Sequence, residues 1–153
     1  MAIDPMRAGE SSAPTVPDEL KYFPGVSVAI LQDGRFLLVR RGHEPSKGLY
    51  AFPGGRVHDG ETDEDAVRRE LAEETGLAVE RVAPHEELLL PPSANGDYPA
   101  FRLMVFRGYG PSGEMRAGDD AAEVGWFRLE EMELLPIIPS VLETARTIAA
   151  LPD

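Results

Sequence analysis

Cysteine is absent from this 153-residue sequence, which excludes disulfides, thiolate metal sites and a cysteine nucleophile, and nothing argues for an oxidising compartment. The cytoplasm is the default expectation. Long apolar runs are missing too: Val26 to Leu31 and Leu88 to Pro92 fall far short of the roughly 18 residues that a helical membrane span requires. No membrane partner is expected. Positive charge is scarce, with 15 Lys and Arg against 27 Asp and Glu and a formal net charge of -12. Broad binding to nucleic acid or anionic lipid needs clustered cations, so neither is expected. A small phosphorylated substrate stays open, because bound divalent cations invert the sign of a local acidic cluster.

Met1 to Asp18 contain Asp4, Glu10, Pro5, Pro14 and Pro17 and lack the basic start and apolar stretch of a secretory signal. Residues 1–18 are therefore expected to be a disordered lead-in to a single domain over 19–153. Met6 is an alternative start, which would leave Met1 to Pro5 as an appended leader. No internal repeat divides the chain.

Val26 to Leu31 and Arg35 to Arg41 are β-rich runs separated by Gln32, Asp33 and Gly34, and Asp-Gly there is a hairpin signal. Ala51 to Gly55 reads as a short strand entering a Pro-Gly-Gly turn. Thr62 is placed to cap a helix over 62–75 whose first turn holds Asp63, Glu64 and Asp65, and Gly76 is placed to end it. Val67 and Leu71, four apart, would form its buried stripe. Further strands are expected over Glu86 to Leu90, Phe101 to Tyr109 and Glu123 to Arg128. Ser140 and Glu143 have capping-box spacing for a last helix with an apolar stripe of Val141, Leu142, Ala145, Ile148 and Ala149. The pattern predicts an α/β fold with a mixed sheet and helices on its faces.

The chemistry is concentrated in Gly55 to Leu77, GRVHDGETDEDAVRRELAEETGL. On a helix, Glu70, Glu73 and Glu74 span an arc of about 100°, so their carboxylates can converge. Three like charges that close raise one another's pKa unless a cation sits among them. A hard divalent ion meets that need, and carboxylate oxygens select Mg²⁺, Mn²⁺ or Ca²⁺ over softer metals. The Gly54-Gly55 turn could bring a backbone carbonyl to the same ion, and Arg69 could hold a carboxylate through its planar fork. An acidic helix face is usually only a solvated surface. The full spacing, however, would arise by chance in about one in a million chains of this length and composition.

These residues resemble the Nudix box of the Nudix hydrolases at every specified position. Ala51 to Gly55 is similar to the strand and turn that lead into that box, and Glu123 to Phe127 also looks like the family. The resemblance implies a Nudix-type α/β/α sandwich with the catalytic helix in a loop-helix-loop box. It implies Mg²⁺-dependent hydrolysis, with Mn²⁺ as an alternative ion, of a nucleoside diphosphate linked to another group X. Carried over by position, Glu70, Glu73 and Glu74 would be metal ligands with Gly54, and Glu70 could also act as base toward water. Glu61 would complete the charged cluster, and Arg69 would orient the glutamates. In the family the base often comes from a loop outside the box, which makes Asp120 and Glu123 equal candidates here, with Asp119 beside them.

Signals for the substrate are weaker. Arg40 and Arg41 could reach a phosphate or ribose, and Tyr50, Phe52, Tyr98 and Phe101 could stack a base, although strand aromatics such as these and Trp126 are more often core. His43 and His58 are ligand or acid candidates in loops where an exposed histidine is the plainer reading. Segment Pro91 to Pro99 is the expected specificity loop, and Pro92 stands where the family's ADP-ribose pyrophosphatases tend to carry a proline. ADP-ribose or a related sugar nucleotide is thus the favoured small-molecule partner, and a homodimer is left open. The alternatives are a house-cleaning nucleoside triphosphatase and a non-catalytic nucleotide sensor; retention of Glu70, Glu73 and Glu74 disfavours the sensor.

Overall fold

The computed structural model describes residues 21–118 and 121–152. The expected lead-in over 1–18 and the base candidates Asp119 and Asp120 lie outside the described residues. Strands β1 (Tyr22–Gln32) and β2 (Arg35–Arg41) turn through Asp33 and Gly34 with φ of 52° and 76°. Positive φ at both central positions matches the twist of a two-residue hairpin, and Asp-Gly supplies it. The pairing holds only at Leu31 with Phe36 and Gln32 with Arg35. Beyond it the strands part: β1 pairs with β4 (Gly54–Arg56), while β2 pairs with β3 (Tyr50–Ala51) and β7 (Ala121–Arg128).

A long antiparallel hairpin of β5 (Leu77–Leu90) and β6 (Ala100–Gly113) completes the sheet, with β6 parallel to β1 from Tyr22 opposite Ala100 to Ile30 opposite Gly108. The result is one mixed seven-stranded sheet with the order β3-β2-β1-β6-β5.

Side-chain alternation along β1 and β2 sets the layers. Val26, Val28, Ile30 and Leu37 pack on Ala66, Val67 and Leu71 of α1 (Asp63–Thr75). Ala29, Phe36 and Leu38 face the other way, onto Met132 of α2 (Leu129–Met132) and Ala145 and Ile148 of α3 (Pro139–Ala149). Helices thus cover both faces, which is the expected α/β/α sandwich. No helix among the described residues is long and apolar enough to cross a membrane.

Three local expectations are corrected. The strand expected over Glu86 to Leu90 starts at Leu77, and its apolar alternation is hidden because the register shifts between Pro84 and Glu86, leaving His85 as an extra residue. The strand expected over Ala51 to Gly55 is broken into β3 and β4 by Phe52 and Pro53. The Ser140–Glu143 capping box does not form: α3 starts two residues earlier, at Pro139, and its cap position is Ile138, which makes no side-chain cap. Proline at the first helical position removes one of the amides that a helix start leaves unpaired, and its fixed φ suits the first turn.

Candidate active site

Helix α1 presents the carboxylates, and its ends are fixed as the sequence suggested. The Thr62 hydroxyl accepts from the Asp65 amide at 3.1 Å, and Gly76 takes a left-handed φ of 77° at the other end. The buried Thr75 hydroxyl donates to the Leu71 carbonyl at 2.7 Å and accepts from the Leu77 amide at 3.1 Å, stitching helix to strand. With Ala66, Val67, Leu71 and Thr75 buried, the helix cannot rotate, and the glutamates keep their direction.

Glycines bring β4 against this face. A Cβ on Gly54 would run into the Val26 carbonyl and Ser27, and a Cβ on Gly55 would run into the Glu70 carboxylate. Only glycine permits both approaches. The Gly54 amide donates to Glu74 Oε1 at 3.0 Å. Glu70 is largely buried, with 14% of its side chain exposed, whereas 58% of Glu73 is exposed.

Arg69 brings its guanidinium against Glu61, Glu70 and Glu73. Its Nε and Nη2 grip the two Glu61 oxygens at 2.7 and 3.0 Å, Nη1 reaches Glu70 at 3.1 Å and Glu73 at 3.2 Å, and Nη2 also donates to the Arg56 carbonyl at 3.0 Å. This fork holds Glu61 at a pKa of about 2, helped by the His58 amide at 2.8 Å. Glu70 goes the other way: burial pushes its carboxyl above the usual range, against the opposing pull of Arg69. Glu61 is thus a fixed anion and Glu70 a basic, partly desolvated one.

A cavity of about 580 Å³ opens where β1 and β2 have parted. Its floor holds Gly54, Gly55, Glu70 and Glu74. One wall, from the far end of the β5–β6 hairpin, carries Leu90, Tyr98, Phe101 and Leu103; the other carries Arg41, His43, Glu44 and Ser46, with Ile138 and Ser140 beside them. Arg56 stands at the apolar wall, its guanidinium 5.1 Å from the ring centres of both Phe23 and Phe101.

The structure therefore brings together Gly54, Glu70, Glu74, Arg41 and Phe52 at one cavity, with Glu61 and Arg69 bracing Glu70 from behind. Phe52 is also a core residue, packed against Phe36 and 6% exposed. Within 91–99 it is Tyr98 that lines the cavity. Arg40 and Glu123 are paired with each other across β2 and β7 and do not line the cavity. Arg56, Ser46, Ile138 and Ser140 escaped sequence reasoning. For Arg56 a signal existed, since it follows Gly55 directly in the box; the others are brought in from distant segments.

A family model for the NUDIX domain matches residues 21–148. The ADP-ribose pyrophosphatase of Methanocaldococcus jannaschii is 40% identical over 126 residues, covering 76% of this chain and 69% of that protein. The putative 8-oxo-dGTP diphosphatase 2 of Mycobacterium tuberculosis is 32% identical over 80% of this chain and 88% of its own length. The chain spans less than half the length of the NAD-capped RNA hydrolases NudC it also matches. Among solved structures, the MutT NUDIX hydrolase of Burkholderia pseudomallei superposes with a TM-score of 0.73 at 32% identity, covering 79% of this chain and 93% of that one.

Proposed function

Because this chain belongs to the NUDIX family and is a Nudix hydrolase, we propose that it cleaves the pyrophosphate linkage of a nucleoside diphosphate bearing a second group X, with ADP-ribose as the leading substrate. The observation that carries this reading is the cavity with carboxylates on its floor and two unlike walls. A diphosphate over Glu70 and Glu74 would direct a base onto Tyr98 and Phe101, where aromatic faces stack, and a polyhydroxylated X toward Arg41 and Ser46. Likeness to an ADP-ribose pyrophosphatase supports the same assignment.

Nudix hydrolases use divalent metal ions. The donors here are carboxylate oxygens with no thiolate, and the buried Glu70 carboxyl gains from a neighbouring cation, so the site fits a hard ion such as Mg²⁺ or Mn²⁺. Glu70 and Glu74 would hold it, with the exposed Glu73 as a third ligand. When bound, such an ion neutralises charge on the pyrophosphate oxygens and acidifies water. Arg69 orients Glu70 and Glu73, Glu61 keeps Arg69 in place, and Glu70, on the cavity floor, would accept the proton of the attacking water. No covalent intermediate is required.

A nucleoside triphosphatase is the second reading, supported by the likeness to the putative 8-oxo-dGTP diphosphatase. A panel of ADP-ribose, NADH, diadenosine polyphosphates, nucleotide sugars, coenzyme A and nucleoside triphosphates, assayed with Mg²⁺ and with chelator, separates the two. Metal-dependent phosphate release from ADP-ribose only when a phosphatase is added supports the first reading, and direct release of pyrophosphate from triphosphates supports the second.

A further inference from the structure

Glu123 matches the family pattern as a base, yet its surroundings assign it other work. The register sets Arg40 of β2 opposite Tyr50 on one side and opposite Glu123 on the other, so the three side chains form a row on one face of the sheet. That face is the one covered by α3, because Tyr50 belongs to the core cluster there. Glu70 and Glu74 lie on α1, across the sheet. The Tyr50 hydroxyl donates to Glu123 Oε1 at 2.5 Å, and Glu123 does not line the cavity.

Tyr50 is also a junction of the backbone. Its amide donates to the Pro136 carbonyl at 2.8 Å, its carbonyl accepts from Ile138 at 3.1 Å, and Phe127 packs edge-on against its ring at 5.4 Å. Beside it, Arg40 Nε donates to the Gly48 carbonyl at 3.2 Å, holding the end of the loop that follows Arg41 and carries Ser46 to the cavity. We propose that Glu123 is a positioning residue, whose carboxylate anchors Tyr50 and thereby fixes 42–49 and 136–141 as the polar wall of the cavity. This rests on the hydrolase reading above, and it assigns Glu123 to substrate affinity rather than to proton transfer.

The test compares Glu123→Gln, Glu123→Ala and Tyr50→Phe on ADP-ribose with Mg²⁺, alongside thermal melting to establish folding. The Gln side-chain oxygen still accepts a hydrogen bond from the tyrosine hydroxyl but cannot serve as a base. Glu123→Gln is expected to keep kcat, KM and the pH profile near those of the parent. Glu123→Ala and Tyr50→Phe are expected to raise KM by about tenfold with kcat within about twofold. A fall in kcat of about a hundredfold or more in folded Glu123→Gln, with a changed pH profile, would make Glu123 the base and overturn the proposal. An unchanged KM in both Glu123→Ala and Tyr50→Phe would overturn it as well. Amide exchange over 42–49 reads the same contrast without turnover: faster in Glu123→Ala and Tyr50→Phe and unchanged in Glu123→Gln if the anchor is real, and equal in all three if it is not. Inertness of the parent protein toward every substrate would count against the hydrolase reading alone.

Discussion

The carboxylate floor of the site comes from one contiguous stretch, residues 54–77, whereas its two walls are assembled from 41–46, 90–103 and 138–141. On the floor the braces come from within that one stretch: Arg69 is held by Glu61, Glu70 and Glu73, and Glu74 by Gly54. The polar wall depends instead on contacts such as Tyr50 with Glu123, 73 residues apart. A locally braced floor can be reused beneath many different walls, which explains how one motif specifies a reaction class and leaves the substrate to the loops.

The most severe break in this division of labour would come from the floor. Glu70→Gln or Glu74→Gln is expected to lower kcat by a factor on the order of a thousand while KM for ADP-ribose moves little, as steady-state kinetics would record. Retained turnover in Glu74→Gln would remove that residue from the machinery. Next comes Gly55→Ala, whose new methyl group must displace the Glu70 carboxylate. Here kcat should drop by about a hundredfold, with a stability loss of only about 1–3 kcal/mol by denaturant titration. Wild-type kinetics in that variant would show that Glu70 need not sit where it does.

On the apolar wall the effect should be milder and of the other kind. Tyr98→Ala is expected to raise KM by roughly tenfold and leave kcat within about twofold, since a stacking surface binds ground and transition states alike. A matching loss in kcat would erase the distinction between wall and floor.

The smallest effect concerns acid stability. Glu61 is held at about 2 in the folded protein against an ordinary 4.5, so its contribution is complete above pH 4.5 and disappears as pH falls toward 2. Urea titrations of the parent and Glu61→Gln should therefore differ at pH 7 and converge between pH 4.5 and 2. A gap that stays constant across that window would separate Glu61 from Arg69.

How much of this was legible in the sequence follows the same line. The Asp33-Gly34 hairpin, the Thr62 cap, the Gly76 stop and the Val67–Leu71 stripe are local signals, and each appears where its residues placed it. The role of Arg69 is half legible: its position beside Glu70 suggests one carboxylate, and the folded loop and helix give it three. By contrast, only the last part of β5 is legible as a strand, because Leu77, Val79 and Val82 all pack on the same core and break strict alternation before the register shifts at His85. Glu123 illustrates the limit. Its place in the chain suggested a base, and only the strand register reveals that Tyr50 occupies its carboxylate and that it lies across the sheet from Glu70.

The most direct test of the account is product analysis by ³¹P NMR of ADP-ribose treated with the parent protein and with Glu70→Gln in the presence of Mg²⁺. The account predicts AMP and ribose 5-phosphate from the parent, almost none from the variant, and none when chelator replaces the ion. Intact ADP-ribose alongside rapid release of pyrophosphate from nucleoside triphosphates, or equal product from both proteins, would contradict it.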